Sequence, residues 1–211
     1  MTDASNRYGL EYLSRERWLS YVIQVSAIAD INPGRVAEIG IGPGVVGPMI
    51  EATYANCRYV SVDIDPILRP KICASVTALP FADGAMDAVF CCQVLEHLPY
   101  EMFSPALSEL GRVAVRRVVI SLPDVSPFFF LRMRGLRRIM PGLWKGFSLP
   151  NPFPPAHDFT CHGQHHWEIG KKAFPLECIL SDIGRTGLVL KDHFRMVERP
   201  YWHFFILEHR P

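Results

Sequence analysis

The sequence predicts an α/β fold of three α/β/α layers, in which helices cover both faces of a doubly wound, mostly parallel sheet. Two observations lead to this prediction. Short apolar runs typical of buried strands alternate with segments of helical periodicity along residues 35–122, an order that favours strand–helix–strand units. The first of these strands also breaks into a glycine-rich turn that leads into a helix, as happens in ligand-binding sheets of this class.

The elements follow one another in a regular order. Apolar residues at helical spacing predict a first helix over 8–30, which Asn32-Pro33-Gly34 ends. Because the carboxyl ends of parallel strands meet at one edge of a sheet, we expect the residues that follow these strands to converge there. The later patterns predict strand 35–39, helix 45–54, strand 58–62, a short strand at 71–74, strand 86–92, helix 101–113, strand 117–122, helix 175–186, strand 188–194 and strand 201–208.

Composition narrows the possible classes of protein. A chain of 211 residues with 49% hydrophobic and 20% charged residues is typical of one globular domain, 1–211. A net charge of +1 gives no reason to expect a nucleic-acid partner. The amino-terminal residues are polar, and no apolar run reaches the roughly 18 residues that a membrane span requires. The six cysteines form no C-x-x-C pair, so we expect reduced thiols and a cytoplasmic protein.

The glycine-rich turn predicts a nucleotide site. Gly40, Gly42 and Gly44 follow the first strand, and Asp63 lies 19 residues after Gly44, at the end of the second. This is about the separation, roughly 20 residues, at which an acidic residue meets the ribose of a bound nucleotide. Residues 42–47 also fit G-x-G-x-x-G, so an NAD-dependent oxidoreductase stays open as an alternative.

Glu38 favours a different ligand. It stands two residues before the first glycine, at the end of an apolar strand. A carboxylate at this position suits a ligand with an ammonium group and suits a pyrophosphate poorly. Together with Asp63, which can accept two hydrogen bonds from a ribose diol, it describes a nucleoside that carries an amino acid, namely S-adenosylmethionine.

Three blocks of the chain resemble one family. They are the Glu38-x-Gly40-x-Gly42-x-Gly44 motif, the acidic Asp63, and a third block that runs from Leu79-Pro80-Phe81 to Leu95-Glu96-His97-Leu98. In this order, over about residues 34–123, they resemble the class I S-adenosylmethionine-dependent methyltransferases, type-11 group. The resemblance implies a Rossmann-like fold, an antiparallel pair of strands at one edge of the sheet, and methyl transfer by in-line displacement. It implies cofactor contacts from Glu38, Gly40, Gly42, Gly44, Asp63, Ile64, Ser75, Val76 and Gln93.

One position departs from the family pattern. The type-11 group usually has an Asp a few residues before the LPF segment, where it accepts a hydrogen bond from the adenine amino group. The aligned residue in this chain is Ser75. A hydroxyl also accepts hydrogen bonds, but without the assistance of a charge, so this contact should be weaker.

Residues 124–167 interrupt the regular order and predict an insertion that acts as a lid. Segment 128–140 could form a basic amphipathic helix and make peripheral contact with a membrane. His97 and His166 are candidates for a catalytic base, and His165, His166 and Trp167 for contact with the acceptor. The histidine spacing in this segment, H-x-x-H-H, matches no standard zinc pattern, so no metal is expected.

The sequence therefore favours a methyltransferase that acts on a small molecule, a glycan or a lipid-linked sugar. The alternatives are the oxidoreductase and a protein that binds the cofactor without catalysis. The acceptor atom and the oligomeric state stay open.

Overall fold

The computed structural model describes residues 8–9, 12–128 and 165–209. Its centre is a seven-stranded sheet with the strand order β3-β2-β1-β4-β5-β7-β6. The strands are β1 Arg35–Ile39, β2 Arg58–Asp63, β3 Ile72–Cys73, β4 Met86–Cys92, β5 Ala114–Pro123, β6 Leu188–Arg195 and β7 Trp202–His209. The α-helices are α1 Arg15–Ser26, α2 Val46–Thr53, α3 Phe103–Val113 and α4 Leu176–Arg185.

The strand directions confirm the predicted fold class. The strands from β3 to β5 pair in parallel, whereas β7 is antiparallel to both of its neighbours, β5 and β6. The strand order reverses between β1 and β4. A crevice for ligands opens at such a reversal, beyond the carboxyl ends of the strands.

Two hydrophobic cores lie on opposite faces of the sheet and account for the three layers. On one face Val36, Ala88 and Phe90 of the strands pack with residues of α1 and α2. On the other face Ala37 and Val89 pack with residues of α3 and α4. Neighbouring positions in one strand face opposite cores, which is why the strands read as nearly continuous apolar runs.

The first helix is shorter than the predicted 8–30. It begins after Ser14, whose Oγ accepts a hydrogen bond from the backbone N–H of Arg17 at 3.3 Å and so caps it. It ends at Ser26, and a separate 3₁₀ turn covers Ala29–Ile31. The apolar periodicity continues through this break, so spacing alone could not reveal it.

The two ends of the predicted insertion lie side by side. Val125 N–H donates to the carbonyl of Ile169 at 2.9 Å, and Ile169 N–H donates to the carbonyl of Pro123 at 2.9 Å. Most of the predicted lid, 124–167, and nearly all of the basic segment 128–140 lie outside the described residues. Across the part of the chain that the structure describes, none of the helices has the length and apolar character that a membrane span would need.

Candidate functional site

The glycine turn (residues 40–44) joins β1 to α2 at the reversal of strand order. Gly40, Gly42 and Gly44 have φ angles of +81°, +50° and +71°, which side chains rarely allow. A Cβ on Gly40 would come within 2.2 Å of Val94 Cγ2, so this position has no room for one. A Cβ on Gly44 would meet nothing within 4 Å. The turn therefore has open space beside its last glycine, where a ligand can approach the backbone.

Asp63 is buried against the glycine turn. Its Oδ2 accepts a hydrogen bond from Ile41 N–H at 2.9 Å, and its Oδ1 accepts one from Asp65 N–H at 2.9 Å. Each carboxylate oxygen can accept a second bond, so Asp63 can hold the turn and a ribose diol together. The sequence analysis assigned only the second of these roles.

Glu38 is a desolvated carboxyl group beneath the turn. It is only 5% exposed, and Tyr59 Oη donates a short hydrogen bond to its Oε2. Burial raises the pKa of Glu38 to about 8, the Tyr59 hydrogen bond acts in the opposite direction, and the nearby Asp63 adds to the rise. No other hydrogen bond to the Glu38 carboxyl group comes from the described residues. A ligand ammonium beside this group would favour its ionised form.

Gly47, the last glycine of the G-x-G-x-x-G match, serves packing. A Cβ there would lie 2.4 Å from a ring carbon of Tyr59. The missing side chain lets α2 lie directly on the tyrosine that bonds Glu38. Packing against Tyr59 accounts for a glycine at this position, and no contact with a pyrophosphate is needed to explain it.

Three of the residues predicted to contact the cofactor lie around β3 with differing exposure. Ile64 is 71% exposed, whereas Val76 packs in the core. Ser75 Oγ lies 2.9 Å from Thr77 Oγ1 and accepts a hydrogen bond from Thr77 N–H at 3.3 Å. The Ser75 hydroxyl is thus already engaged within its own turn.

Gln93 ends β4 in a left-handed conformation, with φ of +56°. Its backbone N–H donates to the carbonyl of Ser121 at 2.9 Å, and its Nε2 donates to Ser121 Oγ at 3.3 Å. These bonds tie together the carboxyl ends of β4 and β5. A non-glycine residue held in this region stores backbone strain, which is common at functional sites.

The turn after Gln93 carries a buried acid and an exposed histidine. Glu96 is 0% exposed, and burial raises its pKa to about 8, opposed in part by its own backbone N–H. Within residues 8–9, 12–128 and 165–209, neither carboxylate oxygen of Glu96 has a hydrogen-bond partner of acceptable geometry. The ring of His97 contacts that of His165 edge-on, with centroids 4.9 Å apart. The structure therefore brings His97 and His165 together.

His166 and Trp167 differ in their surroundings. His166 is exposed, and its backbone N–H donates to the Glu96 carbonyl at 2.8 Å. Trp167 is a correction to the predicted contact with the acceptor, because its side chain is fully buried in the core against Tyr100 and Phe103. Its indole N–H donates to the carbonyl of Leu98 at 3.1 Å. Trp167 thus anchors the end of the insertion.

Tyr12 is a site residue that the sequence analysis missed. Its hydroxyl lies 4.0 Å from the position that a Cβ on Gly42 would occupy. The Arg17 guanidinium stacks over the Tyr12 ring at 4.1 Å and over Trp202 at 4.5 Å. Burial raises the pKa of Tyr12; the charge of Arg17 lowers it and that of Glu96 raises it. Tyr12 therefore lies beside the glycine turn, at Gly42.

Comparison with known proteins agrees with this geometry. Residues 37–120 match the family model of the type-11 methyltransferase domain. The fold is similar to magnesium protoporphyrin IX methyltransferase from Synechocystis PCC 6803, solved with bound S-adenosylhomocysteine. The TM-score is 0.64 at 19% identity, over 99% of this chain and 94% of that one. It is also similar to Burkholderia thailandensis 1,6-didemethyltoxoflavin-N1-methyltransferase, with a TM-score of 0.65 at 11% identity, over 100% and 85% of the chains.

One curated relative matches a shorter stretch. An uncharacterised protein of Methanocaldococcus jannaschii is 36% identical over 63 residues, which is 28% of this chain and 27% of that protein. The chain thus spans about a quarter of the length of this relative. The segment that matches the family model of the methyltransferase domain contains the glycine turn, Asp63 and Glu96.

Proposed function

We propose that the protein transfers a methyl group from S-adenosylmethionine to a small polar acceptor, a glycan or a lipid-linked sugar. The observation that carries the proposal is the position of the desolvated Glu38 carboxyl group beneath an open glycine turn that Asp63 holds. We also propose that the protein works in the cytoplasm, in keeping with free thiols at all five cysteines of the described residues.

The chain's own residues fit this cofactor. Asp63 supports the turn from below and has accepting capacity left for ribose hydroxyls. Glu38 lacks a cationic partner among its contacts, so a ligand ammonium would supply one. A pyrophosphate would instead bring negative charge next to two acidic residues, which argues against the oxidoreductase.

The sulfonium of the cofactor supplies an already activated methyl group, so the protein has mainly to align the acceptor and exclude water. His97 lies in the turn after β4 and contacts His165, and this turn follows Val94, which packs against Gly40 of the glycine turn. We propose that these histidines and His166 lie on the acceptor side of the site, and that His166 removes the proton from an acceptor hydroxyl.

Thermal-shift titration tests the cofactor half of the proposal. S-adenosylmethionine and S-adenosylhomocysteine should raise the Tm of the protein, and NAD should leave it unchanged, since only a ligand of the native state stabilises it. A shift with NAD alone would support the oxidoreductase instead. Binding of S-adenosylmethionine without methyl transfer to any acceptor panel would favour the non-catalytic alternative.

A further inference from the structure

We propose that Glu96, His97 and His165 form a binding site for a divalent transition-metal cation. Each of the three side chains offers one ligand atom, and these atoms all lie within 4.8 Å of one another. Two ligands come from the 3₁₀ turn after β4, and the third, His165, lies near the end of the insertion. The expectation of no metal rested on the spacing of His162, His165 and His166 and did not consider Glu96 or His97, which are distant from them in the sequence.

The burial of the Glu96 carboxylate is an independent observation that points to a bound cation. Its side chain is completely buried, and in the described part of the chain nothing hydrogen-bonds either carboxylate oxygen. A buried carboxylate is costly unless it is paired, hydrogen-bonded or bound to a metal. A cation held jointly with the two imidazoles satisfies it.

The surroundings of His165 match those of a metal ligand. Its Nδ1 lies 2.9 Å from Oε1 of Glu168, a carboxylate that is itself 1% exposed. Tyr201 Oη donates to the same oxygen at 2.6 Å, and Lys171 Nζ lies 3.2 Å from Oε2. A buried carboxylate that fixes one ring nitrogen leaves the other for the metal, which is the usual arrangement around metal-bound histidines. His165 would therefore coordinate through Nε2.

The donor set indicates the class of cation. Two imidazoles and one carboxylate suit Zn²⁺, Fe²⁺, Co²⁺ or Ni²⁺, whereas Mg²⁺ and Ca²⁺ prefer oxygen donors. A tetrahedral zinc ion with bonds of about 2.0–2.1 Å keeps its donors about 3.4 Å apart. The three groups would need to draw together by no more than about 1.5 Å from their present spacing. Three protein ligands would leave a position open for another oxygen.

The location gives the site a consequence for methyl transfer. The 3₁₀ turn that carries Glu96 and His97 directly follows Val94, which packs against Gly40 of the glycine turn, so a cation at this group would be near the cofactor. An acceptor oxygen at the open position would be oriented, and the pKa of its hydroxyl would fall. This consequence rests on the proposed function, whereas cation binding does not.

The test begins with calorimetry on the full chain after removal of any affinity tag and treatment with a chelator. Exposed thiols also bind zinc, so Cys73→Ser and Cys178→Ser form the background. We expect one Zn²⁺ or Co²⁺ per chain, and Mg²⁺ at least 100-fold weaker. The visible absorption of bound Co²⁺ reports nitrogen and oxygen ligands. If neither Zn²⁺ nor Co²⁺ binds with a stoichiometry of one per chain, the proposal is overturned.

Variants then locate the site. Glu96→Gln, His97→Asn and His165→Asn should each weaken Zn²⁺ binding at least 100-fold, and Glu168→Gln, which removes only a support, 10–100-fold. The matched control is His166→Ala, an exposed histidine next to the group, which should leave affinity unchanged. Circular dichroism checks that each variant folds. The site would be contradicted if the three ligand variants bound Zn²⁺ as tightly as the wild type, or if His166→Ala lost as much Zn²⁺ affinity as they do. This conclusion would hold whether or not the protein binds S-adenosylmethionine.

Discussion

Glu38→Gln offers a sharp test of how the protein recognises the cofactor. In the free protein burial raises the pKa of Glu38 to about 8, so at pH 7 about nine-tenths of these carboxyl groups carry a proton. The ammonium group of the ligand favours the ionised form. Binding at pH 7 should therefore release up to about 0.9 proton from Glu38.

The variant should keep its fold, because the Gln amide oxygen can still accept the hydrogen bond from Tyr59. Isothermal titration in buffers of different ionisation enthalpy counts the protons released. The count for the wild type should exceed that for Glu38→Gln by about 0.9 at pH 7, and the variant should bind more weakly. Protons from the ligand itself cancel in this difference. Equal counts in both proteins would refute the assignment of Glu38.

The same raised pKa has an effect on stability. A carboxyl group whose folded pKa exceeds its unfolded value contributes fully below the unfolded pKa, near 4.3, and this contribution is lost as the pH rises through 8. The shift corresponds to about 5 kcal/mol. Without ligand, the wild type should lose stability relative to Glu38→Gln between pH 5 and 8. Urea unfolding of both proteins across this range measures the difference, and a constant difference would contradict it.

Four further outcomes are expected. Asp63→Asn should weaken S-adenosylmethionine binding by about 1–2 kcal/mol in calorimetry, and Asp63→Ala should also lower the Tm, because it removes both bonds that hold the turn; unchanged affinity would contradict the ribose assignment. Ser75→Asp should tighten binding modestly by offering an ionised acceptor to the adenine amino group, and weaker binding would mean that the adenine is held differently. Shortening the insertion 124–167 should spare S-adenosylhomocysteine affinity and abolish methyl transfer. The last variant exchanges four arginines of the basic segment for Gln, namely Arg132, Arg134, Arg137 and Arg138. It should lower turnover or vesicle binding if this segment binds a lipid or a phosphate. If turnover and vesicle binding both stay unchanged, the proposal of a lipid-linked acceptor is wrong.

The sheet could be predicted from the sequence because its strands carry a strong local signal. Strands 35–39 and 86–92 have the predicted bounds, since they are apolar runs bounded by turn residues. The glycine turn and Asp63 could be found in the same way, because both belong to one contiguous motif and its fixed spacing. The position of the amino-terminal helix start at Arg15 depends on the Ser14 cap, which apolar spacing does not report.

Contacts between residues that are distant in the chain leave no local pattern in the sequence from which they could be predicted. The surroundings of Glu96 include His165, which reaches it from the insertion. Trp167 was placed at the acceptor because of its neighbours in sequence, but its large apolar surface buries against α3. Gly47 fitted a phosphate-binding pattern, and only the packing of Tyr59 showed its structural use.

Calorimetric titration with S-adenosylhomocysteine, with NAD as the competing ligand, tests the central claim most directly. The account predicts one binding site per chain for S-adenosylhomocysteine, weakened in both Glu38→Gln and Asp63→Asn, and no heat of binding with NAD. A site for NAD, or S-adenosylhomocysteine binding that neither variant changes, would contradict it.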